Sequence, residues 1–581
     1  MLPFSVTQQQ QRSEHLFDAY FLLALAISTS PSYHPATLGV ALLGFVTLLL
    51  GLLGRVPELL LRWHWRPLSL ISLVLIATIC APADTPERWY RYSHQAMVGI
   101  GFVLVTLFYA GSAQRQRRIL WAVGAMKLAL LLIGIWLVQQ PTIDVWHLQH
   151  QAVQLLLHGK NPYSTPVADI YTGGFAYGHQ KYYAYAPLNL ILSLPAEVLL
   201  GDYRYGLVAA LAASVLLFRE TGRRLGVSVA RIDFLTLALL LHPRLERLMI
   251  YGWLEPYLVL LLSLFVFLQV SGRTGILPTV VLFAMPLLKQ YFAAPLLLYL
   301  LLLRPPLRTV LWASLLGLLA LSPLLLWNFQ AVVRNGLLFF VQNLGFRSDS
   351  ISVAAAIFEL TGYQSGVKTT FVFQLGLGLL SAWLLRRQTN RLASFLCACA
   401  VSLFGSFLVA PQAFINYYFF VGTLLAWATL LLTPAQSQCP DPPSVSLLHS
   451  ALRSLAVLSL TCAITGFAFA LYYHFLCPRT ATVGSARLAK GEPLLSESWL
   501  LARSTEQLFV CHDRHCFGPL CHDDLRCLCV DHKLATTPEQ VQQRLYNQGR
   551  QPASCVLDHA HPLPSDRTGQ CWNGRCVDRL E

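Results

Sequence analysis

Residues 119–166 read ILWAVGAMKLALLLIGIWLVQQPTIDVWHLQHQAVQLLLHGKNPYSTP, and this stretch decides the fold. Its first part, 119–138, is apolar and has the length of about 20 residues that an α-helix needs to cross a bilayer. Pro141 follows that span, and a polar, aromatic segment then begins around Asp144. A carboxylate beside hydrocarbon is costly unless it pairs, faces an aqueous cavity or takes part in chemistry. Asp144 is therefore the first candidate functional residue.

The rest of the chain has the same character. It contains 581 residues, of which 55% are hydrophobic and 12% charged, and its mean hydropathy is +0.53. Soluble domains carry about 25% charged residues, so the composition predicts an all-α polytopic membrane protein. The net charge of +14 does not indicate nucleic-acid binding, because the arginines sit in short loops between spans. The N-terminal segment MLPFSVTQQQQRSEH has no secretory cleavage pattern, so we expect the first span to be retained.

Hydropathy predicts the individual spans. The apolar windows are 16–31, 36–54, 67–82, 95–111, 119–138, 187–200, 205–218, 232–243, 254–270, 275–288, 291–303, 309–327, 369–385, 392–410, 413–432 and 452–475. Between them lie the arginine clusters Arg55/Arg62/Arg66, Arg115/Arg117/Arg118, Arg219/Arg223/Arg224/Arg231, Arg273, Arg304/Arg308 and Arg386/Arg387/Arg391. The positive-inside rule places all of these clusters in the cytoplasm.

This rule decides the ambiguous window 187–200. If that window crossed the membrane, the cluster from Arg219 to Arg231 would lie outside. The window is short and contains Pro195 and Glu197, which is typical of an element lying flat on the membrane surface. We therefore predict about 15 crossings, a cytoplasmic N-terminus and an extracytoplasmic C-terminus.

With this topology, the informative loops share the extracytoplasmic face. They are 139–204, 242–257, 288–291, 328–368 and 410–418. Most charges of that face belong to these loops, and polar groups gathered on one face of an apolar bundle predict a cavity lined for a polar ligand. The alternative is that each charged side chain only reaches from the bilayer edge toward water.

The tail after residue 476 is polar and rich in cysteine. Eight of the 14 cysteines lie between residues 511 and 576: Cys511, Cys516, Cys521, Cys527, Cys529, Cys555, Cys571 and Cys576. Because the topology places the tail in an oxidising compartment, we predict a disulfide framework whose connectivity stays open. Zinc is the alternative, because three histidines alternate with the first cysteines, although no CxxC pair occurs. No N-x-S/T sequon is present, which favours a bacterial cell envelope.

A motif around Asp144 carries a family resemblance. After the span come Asp144, then G-x-N-P-Y with Gly159, Asn161 and Tyr163, then Y-x-P-L beginning at Tyr185. This order resembles the integral-membrane GT-C glycosyltransferases and is most similar to family 87, which uses polyprenyl-phosphate sugars. The resemblance implies that Asp144 is catalytic and that a juxtamembrane helix starts after Tyr185.

Other segments extend the resemblance over about 119–432. PLLKQY with Lys289 resembles the family's lysine turn, FRSDS with Arg347 resembles its F-R-x-D-S segment, and the N-Y-Y at Asn416 resembles an aromatic segment near the last core spans. Ala186 stands where the family usually has a proline. Four additional N-terminal spans and the cysteine-rich tail also depart from the family pattern, so the resemblance does not identify the acceptor.

Sugar transfer from a lipid phosphate needs a base for the acceptor hydroxyl and cations for the leaving phosphate. We predict Asp144 as the base and Lys289, Arg347 and Arg244 as phosphate ligands, since guanidinium and ammonium groups bind phosphate well. Asp144 alternatively caps a helix or pairs with an arginine. Lys289 and Arg347 alternatively anchor at the interface or pair with Glu255 or Asp349.

Further residues near these positions are candidates for substrate binding. They are His147, Asn161, Tyr163, Tyr185, Glu255, Gln290, Asp349, Asn416 and Tyr417. Aromatic side chains stack on sugar faces, but aromatic belts at the membrane surface explain such residues equally well. The loop 139–204 contains no D-x-D pair of the kind that chelates a divalent metal, so we predict a reaction without metal or other cofactor.

Taken together, these features predict a GT-C-type transferase in a cytoplasmic-type membrane. It would move a mannose-like sugar from a polyprenyl-phosphate donor to an acceptor glycan, lipid or protein on the outer face. The predicted regions are accessory spans in 1–118, a catalytic core in 119–432, a linker and last span in 433–476, and the cysteine-rich domain 477–581.

Three other functions compete with this prediction. A lipid-sugar flippase would line a path with the same charges, yet Lys127 is the clear mid-span charge and no inverted repeat is visible. A polymerase or ligase that uses a diphosphate-linked donor would need more arginines in the extracytoplasmic loops. A non-catalytic assembly protein would work through its cysteine-rich tail.

Overall fold

The computed structural model describes most of the chain up to residue 435 and three short segments of the tail. The described residues are 6–54, 73, 100–101, 103–109, 111–141, 143–167, 182–273, 275–342, 345–435, 499–503, 508–512 and 515–517. The chain divides into two compact units, Met1–Leu458 and Ser459–Glu581. The predicted spans 67–82 and 452–475, and the cysteines from Cys521 onward, lie almost entirely outside the described residues.

The described part of the first unit is helical. Its α-helices are α1 Val6–Thr29, α2 Pro35–Leu53, α3 Ala113–Leu137, α4 Asp144–Leu157, α5 Leu188–Leu200, α6 Arg204–Arg224, α7 Val229–Leu240, α8 Leu245–Ile250, α9 Glu255–Val270, α10 Ile276–Ala284, α11 Ala293–Leu302, α12 Leu307–Ala331, α13 Phe339–Gln342, α14 Val353–Thr361, α15 Val367–Leu385, α16 Arg391–Val409 and α17 Ile415–Leu432. Two 3₁₀ turns, Met285–Leu287 and Gln290–Phe292, and a π-helical turn, Val332–Leu337, complete the set.

Seven of the described helices are long and apolar enough to cross a membrane. They are Pro35–Leu53, Ala113–Leu137, Arg204–Arg224, Leu307–Leu337, Val367–Leu385, Arg391–Val409 and Ile415–Leu432. The predicted windows 254–270, 275–288 and 291–303 form shorter apolar helices instead. The fold is thus that of a helical membrane protein, while the total of about 15 crossings stays a prediction.

Local sequence signals account for the ends of the helices. Before α2, the His34 side chain accepts a hydrogen bond from the Ala36 backbone N–H, and Pro35 occupies the first turn, where its missing N–H costs nothing. Gly54 ends the helix in the left-handed region at φ 66° and donates to the carbonyls of Leu50 and Gly51. Capping at both ends fixes the length of this span.

The centre of the bundle is formed by α16 and α17, which are buried along most of their length. Trp427 of α17 is fully buried and packs edge to face against Phe218 at a ring distance of 4.6 Å. By contrast, α12 exposes a long row of large apolar side chains, among them Leu307, Leu311 and Leu318. Such an exposed apolar helix is typical of a surface that faces lipid.

One end of the bundle collects arginines, and we call it the arginine end. Arg219 forms a buried ion pair with Asp233 at 2.5 Å, and Arg231 lies 3.9 Å from Glu14. These contacts join α6 and α7 to the beginning of α1. The predicted cytoplasmic cluster between 219 and 231 therefore lies together at a single end.

The opposite end, called the site end, collects the predicted outer loops. Backbone hydrogen bonds join Tyr33 N to Asp349 O (2.8 Å) and Arg347 N to Pro411 O (3.1 Å). Lys289, in the turn between α10 and α11, reaches Glu255 at the start of α9. Loops far apart in sequence thus meet at the site end.

Helix α5 both begins and ends at the site end. Near its start, Asn189 Nδ2 donates to the Leu288 carbonyl at 2.8 Å. Just after it, the Arg204 guanidinium donates to the carbonyls of Ile250 (2.6 Å) and Gln139 (3.3 Å). Both ends of α5 therefore make contacts at the site end, while its orientation relative to the membrane stays a prediction.

The described part of the second unit is a three-stranded antiparallel sheet. Its strands are β1 Trp499–Arg503, β2 Leu508–His512 and β3 His515–Phe517, in the order β1-β2-β3. The register places Cys511 opposite Cys516 across the β2–β3 hairpin. The sequence patterns did not predict this sheet.

Candidate functional site

Five segments bring polar side chains together at the site end. Asp144 starts α4, Glu255 starts α9 and Asn416 lies in the first turn of α17, while Lys289 and Arg347 belong to connecting segments. Both carboxylates thus occupy the first turn of a helix, where the macrodipole stabilises negative charge. The site is built from helix starts and the loops between them.

Asp144 is half-buried, and its Oδ1 accepts a hydrogen bond from the Val145 backbone N–H at 2.8 Å. Burial raises the pKa of this carboxyl above its ordinary value. The Val145 hydrogen bond and the positive charges of Arg347 and Lys289 oppose that rise. Asp144 therefore shares one electrostatic environment with both predicted phosphate ligands, although the three residues are far apart in sequence.

Lys289 is paired with a buried carboxylate. Its Nζ lies 3.0 Å from Glu255 Oε1, and the same oxygen accepts a hydrogen bond from Asn416 Nδ2 at 2.9 Å. Glu255 is fully buried and Lys289 nearly so. Of the two alternatives for Lys289, free phosphate ligand or partner of Glu255, these contacts show the ion pair.

The turn that carries Lys289 is fixed on both sides. Lys289 itself has extended backbone angles, φ −140° and ψ 114°. The preceding carbonyl, Leu288 O, accepts from Asn189 Nδ2, and the following side chain, Gln290 Nε2, donates to Gly336 O at 2.8 Å. These bonds hold the ammonium 5.4 Å from the centre of the Tyr185 ring, within cation–π range.

Arg347 lies nearer the surface, and its planar guanidinium makes a bidentate contact. Its Nε and Nη2 donate to the two carboxylate oxygens of Asp349 at 2.8 and 2.6 Å. The guanidinium also lies 4.7 Å from the Phe414 ring centre. About 23% of the Arg347 side chain is exposed, so a ligand at the rim of the site can reach it without unfolding the loop.

Tyr417 lies close to the charged groups. Its phenol is within electrostatic range of Glu255, Asp144 and Arg347. Tyr291, directly after the Lys289 turn, packs against it with a ring distance of 5.5 Å. Aromatic rings therefore form part of the surroundings of both Asp144 and Glu255.

Asn161 and Tyr163 support the site rather than line it. Asn161 Oδ1 accepts from the Tyr163 backbone N–H at 2.9 Å, which forms an Asx turn. The fully buried Tyr163 hydroxyl donates to the Tyr185 carbonyl at 2.9 Å. A side chain at Gly336 would lie 2.5 Å from the Tyr163 ring, so glycine permits this close approach. The N-P-Y motif thus positions Tyr185 under Lys289.

The two histidines of α4 have different environments. His147 is half-buried beside Trp146, and burial together with neighbouring His150 lowers its pKa. His150 stacks on Trp146 at 5.0 Å and lies 2.7 Å from Glu197, whose hydrogen bond raises the His150 pKa. The sequence patterns pointed to His147 and did not identify the His150–Glu197 contact between α4 and α5.

The structure does not bring Arg244 into this group. Its backbone is left-handed at φ 65°, and its guanidinium donates to the carbonyls of Ser28 (3.1 Å) and Ile27 (3.4 Å). It therefore caps the C-terminal end of α1, whose last carbonyls have no partner within the helix. Among the described residues, no contact joins Arg244 to Asp144 or Lys289.

Sequence patterns also missed Arg204 as an organising residue and Tyr291 as a site residue. Arg204 is fully buried, binds Asp202 at 2.6 Å and lies 5.5 Å from the Trp146 ring. The signals were present: Arg204 ends the sequence Gly201-Asp202-Tyr203-Arg204 directly after the window 187–200, and Tyr291 ends the PLLKQY turn.

Three or more acidic, histidine or cysteine residues do not cluster as metal ligands anywhere among the described residues. Comparisons with family models, with curated proteins and with solved structures find no match for this chain. The chemistry of the site therefore has to be argued from its own residues. The site contains the half-buried carboxylate of Asp144, the guanidinium of Arg347 at the rim, and the buried ion pair between Glu255 and Lys289.

Proposed function

We propose that the protein transfers a monosaccharide from a polyprenyl-phosphate donor to an acceptor hydroxyl at the site end of the bundle. The carrying observation is that the Asp144 carboxylate lies within electrostatic range of both Lys289 and Arg347. A base and a cation for the leaving group must both lie near the reacting carbon, and the proximity of Asp144 and Arg347 supports such an arrangement. The family resemblance makes mannose the first sugar to test.

In the proposed reaction, Asp144 accepts the proton of the acceptor hydroxyl. The acceptor oxygen forms a bond to the anomeric carbon, and the bond between that carbon and the phosphate oxygen breaks. The departing lipid phosphate carries the extra negative charge, which the partly exposed guanidinium of Arg347 stabilises. Burial supports the role of Asp144, because a carboxyl with a raised pKa is a stronger base when ionised.

The position of the site suits a lipid-linked substrate. Helix α5 lies flat at the site end and exposes Leu199 and Leu200, with 78% and 61% of their surfaces accessible. Apolar side chains of this kind rest against the bilayer boundary, where a polyprenyl phosphate presents its head group. With the arginine end in the cytoplasm, the site faces the extracytoplasmic side.

The other functions receive less support. A flippase needs charges along a path through the spans, but Lys127 in the middle of α3 is neutralised by the buried Glu246. A diphosphate-linked donor needs more positive charge than a site in which Lys289 and Arg347 each pair with an acid. For the described residues, a donor linked through a single phosphate, which is a phosphodiester of lipid and sugar, is the better match.

A direct transfer assay tests this function. Purified full-length protein in nanodiscs would be incubated with radiolabelled polyprenyl-phosphate mannose and membrane glycan, lipid and protein fractions as acceptors. We expect label to move into one fraction, with release of polyprenyl phosphate in equal amount. Movement of intact donor between leaflets of proteoliposomes without bond cleavage would instead establish the flippase.

A further inference from the structure

Besides Asn189 Oδ1, three buried polar atoms around the Lys289 turn have no hydrogen-bond partner among the described residues. They are Glu255 Oε2, Asn416 Oδ1 and the Tyr291 hydroxyl. Buried polar atoms are nearly always paired, so three orphans in one place call for a common explanation. The proposed proton transfer uses none of them.

The three atoms belong to one group. Glu255 and Asn416 are joined directly, because Asn416 Nδ2 donates to Glu255 Oε1 at 2.9 Å. Tyr291 lies within electrostatic range of Glu255 and packs against Tyr417, the neighbour of Asn416. We call Glu255, Asn416 and Tyr291 the hydroxyl cluster.

The chemistry of the cluster selects its ligand. Glu255 Oε2 and Asn416 Oδ1 can only accept hydrogen bonds while the carboxylate is ionised, and the Tyr291 hydroxyl can donate or accept. A phosphate would place more acceptors against acceptors, and Glu255 would repel its charge. A sugar hydroxyl both donates and accepts, so it can satisfy the carboxylate and the tyrosine together.

Lys289 then acts on Glu255 and not as the phosphate ligand that its sequence context suggested. Its Nζ contacts Glu255 Oε1 at 3.0 Å and holds this carboxylate so that the second oxygen, Oε2, stays available as an acceptor. The Asn416 amide binds the same oxygen and fixes the carboxylate plane. Lys289 is thus a positioning residue for Glu255.

We propose that Glu255, Asn416 and Tyr291 bind a hydroxyl of the transferred sugar and determine which sugar the site accepts. This inference rests on the proposed function, because the transferred ring must lie between Asp144 and the leaving phosphate. Tyr417 lies within electrostatic range of both Asp144 and Glu255, so a ring near the base is also near the cluster. A site built to bind a hydroxyl discriminates strongly against a substrate that lacks it.

Monodeoxy donors test the inference. The probes are polyprenyl-phosphate mannose and its 2-, 3-, 4- and 6-deoxy analogues, with kcat/KM measured for the full-length protein. Wild type should use one analogue about ten- to hundredfold less well, as expected for a lost hydrogen bond to a charged group. Glu255→Gln and Tyr291→Phe should each reduce that discrimination several-fold for the same analogue.

Tyr291→Phe should fold like wild type, because it removes a hydroxyl that has no hydrogen-bond partner among the described residues. A change in discrimination by this variant is therefore not a result of misfolding. Tyr299→Phe is the matched control: its hydroxyl binds Thr279 at 2.8 Å, outside the cluster. We expect the control to discriminate like wild type. Equal use of all analogues by wild type, or unchanged discrimination in both cluster variants, would overturn the proposal and leave bound water as the partner of these atoms.

Binding separates this inference from the proposed reaction. Dissociation constants of the same five donors would be measured on Asp144→Asn protein, in which turnover is removed. A hydroxyl preference that disappears with Tyr291→Phe supports the cluster even if wild type transfers no sugar. Transfer by wild type without any such preference supports the reaction and rejects the cluster.

Discussion

Lys289 Nζ lies 3.0 Å from Glu255 Oε1, and this contact joins the turn between two short helices to the start of α9. Both side chains are buried. Breaking such a pair from one side leaves a buried charge alone, which costs far more than an exposed pair contributes. The pair is therefore both a structural and an electrostatic requirement of the site.

Lys289→Met should destabilise the protein by about 3–5 kcal/mol, because Glu255 loses its counter-ion. A thermal unfolding series in detergent measures the effect. Lys289→Met/Glu255→Gln should regain much of the loss, since no buried charge remains. Lys160→Met, at an exposed lysine, is the control. Equal stability of Lys289→Met and the control would contradict the buried ion pair.

Arg347→Met should weaken the use of the donor by about ten- to hundredfold in apparent affinity, because a charge-assisted contact to phosphate is lost. Arg347→Lys should recover only part of this, since an ammonium cannot reproduce the fork. Donor titrations at saturating acceptor measure both variants, with exposed Arg334→Met as control. Donor dependence like that of wild type in Arg347→Met would move the phosphate site elsewhere.

The pH profile of kcat/KM should have an acidic limb above the ordinary carboxyl pKa of 3.8, because burial raises the pKa of Asp144. The sign follows from the role of a base: below its pKa the carboxyl is protonated and accepts no proton. Arg347→Met should move the limb to higher pH, since the arginine charge lowers the Asp144 pKa. A limb at the same pH in wild type and Arg347→Met would argue that another group titrates.

The cysteine-rich tail should be disulfide-bonded and separable from the chemistry. Deletion of 485–581 should leave basal transfer, because the proposed site lies wholly in the other unit. Cross-strand neighbours are about 4.5–5.5 Å apart at Cα, which suits a disulfide, so Cys511–Cys516 is the first bridge to seek.

Mass spectrometry of unreduced, alkylated protein reads these bridges directly. Cys477 would be the odd ninth cysteine of the region, free or paired between chains. If all eight tail cysteines are alkylated without reductant, or if metal is released in stoichiometric amount, the disulfide prediction is wrong and zinc replaces it.

Sequence reasoning located the parts of the site that local patterns encode. Asp144 was recognised from a polar boundary after a proline, and a helix begins there; a helix also occupies Leu188–Leu200, whose flat orientation, inferred from the arginine count, stays a prediction. The choice between Lys289 as a phosphate ligand and Lys289 as a partner of Glu255 stayed open, because 34 residues separate the two. Only packing decides such a contact.

Arg244 is a second case in which sequence patterns could not decide a long-range contact. As a charge in an outer loop it resembles Arg347, and composition cannot tell them apart. The difference arises because Arg244 adopts a left-handed backbone and meets the end of α1, more than 200 residues earlier in the chain. Buried polar atoms without a hydrogen-bond partner, such as the Tyr291 hydroxyl, can likewise be recognised only from the three-dimensional structure.

The central claim is that Asp144 is the base, and Asp144→Asn tests it most directly because the substitution keeps the shape and removes the basicity. Glu359→Gln, at an exposed carboxylate, is the matched control. Both proteins should fold like wild type, and sugar transfer from polyprenyl-phosphate mannose should fall about 10²–10⁴-fold in Asp144→Asn alone. Transfer by folded Asp144→Asn within a few-fold of wild type would contradict the account.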